Sequence, residues 1–349
     1  MEEYRKALTV WYNHSKRELP WRNSRNPYKI WVSEVIMQQT RVQQGMIYYH
    51  DFLNSFPDIE SLANAKEEEV LKVWQGLGYY SRARNMHFAV KTILAEHEGK
   101  FPQDYYSLKK LKGIGDYTAA AIASIAFGLP YAVVDGNVYR VLSRLFGITT
   151  PIDTSKGKKE FYRVAQMLLD TDDPGEFNQA LMEFGAIHCL PNQPLCLTCP
   201  LSMKCYAFVN QSVANLPVKS KQIKQRARYL NYLYIHQSER IFLEKRGAKD
   251  IWRNMYQFPL IETPMPTTAE EIICSGQWKT IFANLNFTIE TVFPEQVHLL
   301  THQKLYIRFF SVRLEDGIHP EHLVCVDQVD LARLPVPKPI ENFLRQRGH

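Results

Sequence analysis

The sequence contains neither an apolar run long enough to cross a membrane nor the apolar core of a signal peptide. No apolar stretch reaches the ~18 residues that a membrane-spanning helix needs. Charged residues are spread through residues 1–19, and internal repeats and low-complexity tracts are missing. We therefore exclude a membrane protein and expect a cytoplasmic protein that carries no signal peptide.

The composition is that of an ordinary folded protein. Hydrophobic residues make up 45% of the 349 residues and charged residues 22%, which is not the balance of a disordered chain. The length favours two domains over one. A formal net charge of +6 permits an anionic partner, although basic character is informative only once it is localised.

A glycine-bounded turn between two helices lies near the middle of the chain. A short helix leads into Lys112-Gly113-Ile114-Gly115, and an alanine-rich helix follows from Asp116 to about Phe127. Two glycines spaced by one residue allow backbone conformations that a side chain forbids, and they leave amide N–H groups at the start of the second helix. This pattern predicts a phosphate site; the alternative is a plain interhelical turn.

Asp135 is an acidic residue in an apolar setting. It follows Val133 and Val134, where a carboxylate is costly unless it is used or capped. One interpretation is a functional carboxylate. The other is an N-cap for the helix from Val138 to Phe146, because aspartate is preferred at that position.

Glu34 is the second such carboxylate. It lies in a helix predicted from about Tyr28 to Tyr49, and mostly apolar residues stand three and four positions away from it. An apolar helix face should raise the pKa of a glutamate, which is what a general acid needs. The alternative is a boundary glutamate paired with Arg41.

Four of the six cysteines form one cluster, with gaps of six, two and five residues: Cys189, Cys196, Cys199 and Cys205. In a reducing compartment such a cluster is more often a metal site than a pair of disulfides. Both zinc and an iron–sulfur cluster accept four thiolates, so the chemistry of the cysteines alone leaves both open.

Two further segments carry charge or aromatic side chains. Gly76 to Arg84 is a glycine-loosened turn with two tyrosines and two arginines, which predicts a wedge and phosphate clamp for bent DNA; the alternative is a turn before a helix, with surface arginines. Residues 216–228 form a basic stretch that predicts a solvated linker. Beyond it, strands over 229–236, 241–245 and 305–312 and two helices predict a small α+β domain.

The combination of the glycine turn with Asp135 resembles the helix-hairpin-helix signature of base-excision DNA glycosylases, with Lys112 where that family usually has proline. The cysteine spacing is that of the [4Fe–4S] cluster in the endonuclease III and adenine glycosylase branch. Nearly the whole chain resembles the adenine DNA glycosylase (MutY) family, which removes adenine mispaired with 8-oxoguanine. The matching segments are 19–22, 33–40, 76–80, 113–119, 134–138, the helix bearing Glu183, and the four cysteines.

The resemblance implies a mainly α protein. Residues 1–215 are expected to form an all-helical catalytic domain, with the helix-hairpin-helix at 107–127 and an iron–sulfur loop at 189–205. A basic linker at 216–228 leads to a smaller α+β domain at 229–349, which resembles a MutT (Nudix) fold and reads the lesion. The implied cofactor is a [4Fe–4S] cluster held by the four clustered cysteines.

The resemblance also implies roles for single residues. Glu34 protonates adenine, Asp135 stabilises the oxocarbenium-like sugar, and Tyr117 and Asn137 orient Asp135 and the sugar. The expected substrate contacts fall into four groups. Trp21, Arg22 and Glu183 line the adenine pocket, and Gln39 and Tyr79 are the wedges. Thr40 and Leu77 lie near the lesion strand, and Thr301 and His302 belong to the lesion-reading loop. The expected backbone contacts come from Lys112, Gly113, Gly115 and Thr118, and Lys204 is expected to meet phosphate.

Three departures sharpen the interpretation. Tyr117 stands where endonuclease III enzymes have the lysine that forms a Schiff base, so we expect a glycosylase without strand-cleaving activity. No Nudix-type acidic metal motif follows residue 229, so we expect no nucleotide hydrolysis. The family's Phe-Ser-His triplet is Leu300-Thr301-His302 here, in which Thr301 keeps the hydroxyl.

The expected partner is double-stranded DNA with adenine opposite 8-oxoguanine or guanine, bound by a monomer in the cytoplasm, at the nucleoid if the protein is bacterial. Two alternatives remain at the level of sequence. One is an endonuclease III-like or mismatch thymine glycosylase. The other is a non-catalytic iron–sulfur protein that binds DNA or senses redox state.

Overall fold

The computed structural model describes residues 1–220, 225–247, 250–283, 285–315, 320 and 323–347. The chain forms two compact units. One contains residues 1–64 and 85–222, and the other contains residues 65–84 and 223–349. Within the described ranges, no helix has both the length and the apolar character that crossing a membrane requires.

The first unit is helical, as the sequence predicts. Its α-helices are α1 (Glu2–Ser15), α2 (Pro27–Met37), α3 (Val42–Ser55), α4 (Ile59–Asn64), α6 (Ser81–Glu96, which starts in the other unit), α7 (Tyr105–Lys110), α8 (Asp116–Phe127), α9 (Gly136–Phe146), α10 (Ser155–Leu168), α11 (Pro174–Glu183) and α12 (Tyr206–Val209). A turn of π-helix over Phe184–His188 continues α11, and short 3-10 turns at Cys196–Thr198, Ser202–Lys204 and Val213–Asn215 flank the last cysteines and α12.

Helix α8 is the centre of this unit. Its residues from Thr118 to Ser124 are all buried, and Gly128 ends the helix in the left-handed conformation at φ +66°. Helix α11 approaches α8 so closely that a Cβ on Gly175 would lie 2.8 Å from the Ser124 carbonyl oxygen. The alanines of α8 and the glycine of α11 therefore allow the two backbones to come together.

The predicted helix from Tyr28 to Tyr49 is wrong in one respect, because it is interrupted. Helix α2 ends at Met37 and α3 begins at Val42, and between them Gln39 adopts a left-handed φ of +58°. The interruption contains neither glycine nor proline, the residues that ordinarily mark a helix break in a sequence. The segment over 58–76 likewise forms two short helices, α4 and α5 (Glu67–Val73).

Over its described residues, the second unit is built on an eight-stranded sheet. Its strands are β1 (Arg226–Gln237), β2 (Arg240–Lys245), β3 (Tyr256–Gln257), β4 (Leu260–Thr263), β5 (Phe287–Val292), β6 (Gln296–Leu299), β7 (Gln303–Leu314) and β8 (Val324–Asp327). The main order is β3-β2-β1-β7-β5, while β4 pairs with β1, β6 with β7 and β8 with β2. Strands β1 and β7 run parallel from Arg226↔Gln303 to His236↔Arg313. The three predicted strands are thus present.

Helices cover this sheet: α13 (Ala269–Ile273), α14 (Gly276–Ile281), α15 (Gln328–Leu331) and α16 (Lys338–Gln346). Trp278 and Phe282 of the α14 region pack with Phe310 and Val312 of β7 in one apolar cluster. Burial is continuous over residues 230–235 of β1 and 309–312 of β7, so both faces of the sheet are covered at its centre.

The predicted domain boundaries differ from those of the structure. Residues 65–84 were assigned to the helical domain, but they group with the sheet. Lys72 Nζ donates to the Leu334 carbonyl at 3.2 Å, Val336 N–H donates to the Gln75 side chain at 3.0 Å, and Glu68 forms an ion pair with Lys245 at 2.6 Å. Contacts between residues so distant in the chain leave no periodic signal in the sequence.

The predicted linker at 216–228 also ends differently. Residues 221–224 lie outside the described ranges, and β1 begins at Arg226. Arg228 is buried and forms ion pairs with Asp250 at 2.8 Å and Glu262 at 2.7 Å. Arg228 therefore forms ion pairs inside the sheet unit and is not part of a solvated linker.

Candidate active site and DNA-binding surface

Glu34 lies on the buried face of α2 with a phenol against it. The Tyr117 hydroxyl donates a hydrogen bond to Glu34 Oε2 at 2.5 Å. Glu34 is 8% exposed, and burial raises its pKa to about 7, with the Asp135 charge acting in the same direction. The hydrogen-bond partner of Glu34 is thus Tyr117 and not Arg41, and the carboxyl is about half protonated at pH 7 and mostly protonated below it.

Asp135 is the N-cap that one of the two sequence interpretations predicts, with both carboxylate oxygens engaged, and its functional role stays a prediction. Its Oδ1 accepts from the Val138 N–H at 2.7 Å, which makes it the N-cap of α9, and its Oδ2 accepts from the Asn137 side chain at 2.7 Å. Burial raises the pKa of Asp135, while these two hydrogen bonds act to lower it. Donors at both oxygens stabilise the ionised form.

Electrostatic interactions couple the two carboxyl groups and the Tyr117 hydroxyl in one buried site. The pKa of Tyr117 is raised well above its usual value. Burial is the largest cause, and the charges of Glu34 and Asp135 act in the same direction. Asp135 in its charged form also favours the protonated form of Glu34. The structure therefore brings together Glu34, Asp135, Tyr117 and Asn137, and their individual roles stay predictions.

Arg140 is a buried residue that sequence reasoning missed. Its guanidinium donates to Asn137 Oδ1 at 2.9 Å, to the Gly185 carbonyl at 2.7 Å and to the Cys189 carbonyl at 2.7 Å. Arg140 thus connects the chain at the first clustered cysteine to the side chain that holds Asp135. An arginine in the first turns of a helix is ordinarily exposed, so the sequence carries no signal for this contact.

The predicted role of Glu183 in the adenine pocket needs correction. Its carboxylate is 1% exposed and forms ion pairs with Arg17 at 2.6 Å and Arg22 at 2.7 Å. Burial opposes the charge, but hydrogen bonds from the two arginines lower the pKa of Glu183 to about 2. Glu183 and Arg22 therefore hold each other. Trp21 packs edge-on against Tyr49, with ring centroids 5.2 Å apart.

Gln179 is a better candidate to contact a base. It lies one turn before Glu183 on the same face of α11, is 8% exposed, and lines a cavity with Arg22 and Ser124. Within the described part of the chain, its carboxamide makes no hydrogen bond. The i, i+4 spacing from Glu183 was a signal that could have identified it.

Both predicted wedges have an unusual backbone. Gln39 has φ +58° and Tyr79 has φ +48°, and both side chains are exposed. Residues with a bulky side chain rarely adopt positive φ, and such outliers cluster at functional sites. Of the two residues expected near the lesion strand, Thr40 is half-buried and Leu77 is buried.

Arg82, one of the two arginines of the predicted clamp, packs within the turn itself. Its guanidinium lies over the rings of Trp74 at 5.2 Å and Tyr79 at 5.7 Å, and it donates to the Gly78 carbonyl at 3.2 Å. Burial lowers the pKa of Arg82 to about 10. The indole of Trp74 donates to the same carbonyl at 3.0 Å, so the turn before Tyr79 is held from two sides.

The predicted lesion-reading residues form the tip of a β-hairpin. Leu300 N–H donates to the Gln303 carbonyl at 2.8 Å, which leaves Thr301 and His302 as the loop between β6 and β7. The Thr301 hydroxyl is hydrogen-bonded to the Tyr79 hydroxyl. Within the sheet unit, a predicted wedge and the predicted reading residue are therefore in contact.

The helix-hairpin-helix has the expected open turn. Gly113 has φ +84°, and a Cβ there would lie 2.6 Å from Asn85 Cβ, while a Cβ on Gly115 would meet nothing within 4 Å. Lys112 is exposed beside this turn, with Nζ 4.7 Å from the centre of the Phe88 ring. The predicted contact of Thr118 with the DNA backbone needs correction. Thr118 is 2% exposed and its hydroxyl accepts a hydrogen bond from Gln38 at 3.4 Å, so this hydroxyl does not face a phosphate.

The four clustered cysteines line one cavity, together with Arg144. Arg144 donates to Cys189 Sγ at 3.4 Å, and the Leu201 N–H donates to Cys199 Sγ at 3.4 Å. Across the described ranges, no three cysteine, histidine or acidic side chains converge as the ligands of a single ion do. Lys204, expected to meet phosphate, instead forms an ion pair with Glu3.

Comparison with known proteins identifies the class of this fold and site. Residues 32–167 match the family described as HhH-GPD superfamily base excision DNA repair protein, and residues 231–346 match the NUDIX domain family. A solved thermostable thymine-DNA glycosylase aligns with a TM-score of 0.56 and 27% identity, over 60% of this chain and 96% of that one. The helical unit is thus of the helix-hairpin-helix glycosylase class, and a Nudix domain follows it.

The chain belongs to the adenine DNA glycosylase family. The adenine DNA glycosylase of Buchnera aphidicola subsp. Acyrthosiphon pisum (strain APS) is 31% identical to it over 97% of this chain and 96% of that protein. The human adenine DNA glycosylase is 43% identical over 58% of this chain and 39% of that protein. The protein is accordingly an enzyme of base excision repair that acts on N-glycosyl bonds.

Proposed function

We propose that this protein hydrolyses the bond between adenine and deoxyribose in duplex DNA where adenine faces 8-oxoguanine or guanine. The observation that carries the proposal is the pair of buried carboxyl groups around Tyr117: the pKa of Glu34 is raised to about 7, and Asp135 accepts hydrogen bonds at both oxygens, which favour its anion. Paired carboxyl groups of opposite protonation are the requirement of glycosidic bond hydrolysis.

The chemistry follows from the leaving group. Adenine leaves poorly as an anion, so an acid must protonate a ring nitrogen as the bond breaks. Glu34, with its pKa raised to about 7, supplies that proton at neutral pH. The sugar then carries positive charge, which the Asp135 anion stabilises. Asn137 and the Val138 N–H hold the Asp135 carboxylate in place.

The base must leave the stack to reach these buried groups. Gln39 and Tyr79, whose positive φ presents an exposed side chain, are proposed to fill the gap in the duplex. The Gln179 carboxamide offers one donor and one acceptor, the pattern that matches an edge of adenine. Ion pairs with Glu183 fix Arg22 beside Gln179.

The proposal excludes strand cleavage by the enzyme itself. Tyr117 occupies the position where a lysine would form an imine with the sugar, and a phenol forms none. The Tyr117 hydroxyl is instead engaged with Glu34. A second candidate, thymine removal from a mismatch, has the support of the fold alone.

The test is base release from a panel of duplexes under single-turnover conditions, with alkali added afterwards to cleave abasic sites. We expect product from adenine opposite 8-oxoguanine and, more slowly, opposite guanine, and none from thymine opposite guanine. Strands should stay intact without alkali, and borohydride should trap no covalent adduct. Thymine release, or a trapped adduct, would contradict the proposal.

Thr301→Ala is predicted to reduce the preference for 8-oxoguanine over guanine opposite adenine by about 2- to 10-fold, the worth of one hydrogen bond. The hydroxyl at the hairpin tip is the group proposed to contact the lesion. The ratio of the single-turnover rate constants for adenine opposite 8-oxoguanine and for adenine opposite guanine measures this preference. Thr301→Ser, which keeps a hydroxyl, is the matched control, and an unchanged ratio in Thr301→Ala would remove this residue from lesion reading.

We propose further that the four clustered cysteines hold a [4Fe–4S] cluster. The four cysteines line one cavity, and four thiolates are the ligand set of such a cluster. The cluster would order the loop from Cys189 to Cys205, whose first carbonyl receives Arg140. Its contribution at this site is structural.

Metal analysis of the purified protein tests the cluster. We expect about four iron atoms and four sulfides per chain, and a lower iron content with weaker DNA binding in Cys199→Ser. Cys274→Ser is the control, because Cys274 is exposed and lies outside the cavity. A colourless protein with one zinc and no iron would contradict the assignment.

The remaining proposals concern the partner of the protein, its oligomeric state and its location in the cell. Duplex DNA containing the mispair is the proposed partner, and a net charge of +6 suits it. We propose that the protein acts as a monomer in the cytoplasm, at the nucleoid if it is bacterial. Sedimentation with and without a short duplex would test the monomer.

A further inference from the structure

The segment between β2 and β3 presents an arginine on a constrained backbone. Trp252 has φ +61° and Asn254 has φ +63°, so left-handed residues stand on both sides of Arg253. Neither is glycine, and a tryptophan in this conformation is a genuine outlier. Such strain persists only where the surroundings impose it, and it is concentrated at functional sites.

The surroundings of this segment do impose it. Trp252 is buried, with its ring 6.5 Å from that of His298 in β6. The Asn254 side chain donates to Glu67 at 2.6 Å, and the Asn254 N–H donates to the Arg246 carbonyl at 3.1 Å. Arg253, between these anchors, is exposed. The backbone is thus held on both sides of a side chain that faces solvent.

A second arginine lies against Arg253. Arg84 Nη1 donates to the Arg253 carbonyl at 3.1 Å. Burial lowers the pKa of Arg84, Glu67 opposes that shift, and the charge of Arg253 adds to it, so the two guanidinium groups lie close enough to repel. The Glu67 carboxylate lies beside them, and it also accepts a hydrogen bond from the Asn254 side chain. Two cations beside one carboxylate leave a net positive charge.

Two series of contacts within the sheet unit connect the segments of this pair to the residues proposed to read the lesion. Arg84 follows Arg82, which stacks on Tyr79, and Tyr79 is hydrogen-bonded to Thr301. On the other side, Trp252 packs against His298 in β6, the strand that leads to Thr301. The segments that carry the excess charge are therefore connected to the hairpin tip from two sides within the sheet unit.

We propose that Arg84 and Arg253 bind one backbone phosphate of the DNA strand that carries the 8-oxoguanine. Two guanidinium groups match a phosphate in charge and in hydrogen-bond geometry. The rigid support of Arg253 lowers the entropy lost on binding. The contact fixes the register of the lesion strand against Thr301 and carries no base specificity itself. It rests on the proposed function, because that function defines the lesion strand.

The first test measures binding to a duplex in which 2′-fluoro-deoxyadenosine, which resists cleavage, faces 8-oxoguanine. Arg253→Gln is expected to weaken binding at least about fivefold and to reduce the slope of log Kd against log salt by about 0.9. Arg253→Lys should retain most of the slope. Arg333→Gln is the control, because Arg333 is an exposed arginine of the same unit and is paired with Asp330.

The second test locates the phosphate. Single methylphosphonates, which are neutral, are placed in turn at the lesion-strand phosphates nearest 8-oxoguanine. One of them should weaken binding of the unaltered protein and have little further effect on Arg253→Gln, the coupling expected of direct partners.

The result that overturns the phosphate site is the same methylphosphonate profile with and without Arg253, in a protein that releases adenine from the cleavable duplex. If no adenine is released from that duplex, the proposed function fails instead. The two failures are therefore distinguishable.

Discussion

Glu34→Gln is expected to slow adenine release by about 10²- to 10⁴-fold, the usual worth of a positioned general acid. Glutamine has nearly the shape of the protonated glutamate and still accepts from Tyr117, but it has no proton of suitable acidity to give. Because the protein surface is unchanged, affinity for the uncleavable duplex should stay within about twofold. Single-turnover kinetics and equilibrium binding measure the two quantities.

The control for this substitution is Glu60→Gln, which alters an exposed glutamate of α4. It should leave both quantities unchanged. If Glu34→Gln lost duplex binding to the same extent as activity, Glu34 would be a structural residue of the helical unit and not the acid.

Asp135→Asn is expected to reduce the rate constant of adenine release by about 10²- to 10³-fold, the usual cost of removing one electrostatic stabiliser of a transition state. Asparagine caps a helix as well as aspartate does, so the hydrogen bond from the Val138 N–H should survive. The free energy of unfolding should therefore change little while the reaction fails.

Asp104→Asn is the matched control for Asp135→Asn. Asp104 caps α7 by accepting from the Ser107 N–H at 2.9 Å, and it is exposed. A cap without a catalytic role should tolerate the change in both stability and activity. If Asp135→Asn kept near-normal activity, capping would account for Asp135 and its catalytic assignment would be withdrawn.

The local parts of this structure could be predicted from the sequence. The turn at Gly113 and Gly115, the alanine-rich helix α8 and the N-cap at Asp135 depend on conformational preferences of a few neighbouring residues. The burial of Glu34 also follows from its helix, because its face is apolar on either side. Resemblance to a family then assigned these residues to one site.

The parts that could not be predicted depend on distant contacts. Residues 65–84 join the sheet unit through Lys72, Gln75 and Glu68, whose partners lie far along the chain. A charged residue gives no sequence signal of burial when its partner comes from another element, as Arg82 and Arg228 illustrate. The predicted linker was wrong at Arg228 for this reason, and Arg82 packs within its turn, which leaves Arg84 as the arginine of the predicted clamp that we propose binds a phosphate.

Glu183 shows a related limit. A glutamate on the buried face of a helix was a reasonable contact for a base, but Arg17 and Arg22 occupy both of its oxygens. Sequence spacing places a side chain on a face and does not say which partner it finds there. Gln179, one turn earlier, is buried without such partners in the described part of the chain.

The central claim is that Glu34 acts in its protonated form beside an ionised Asp135. The most direct test is the pH dependence of the single-turnover rate constant for adenine release opposite 8-oxoguanine. Because Glu34 must be protonated and its pKa is about 7, the rate constant should fall about tenfold per pH unit above that value. A rate constant that stays level to high pH, or that declines from near the ordinary glutamate value of 4.5, would contradict the account.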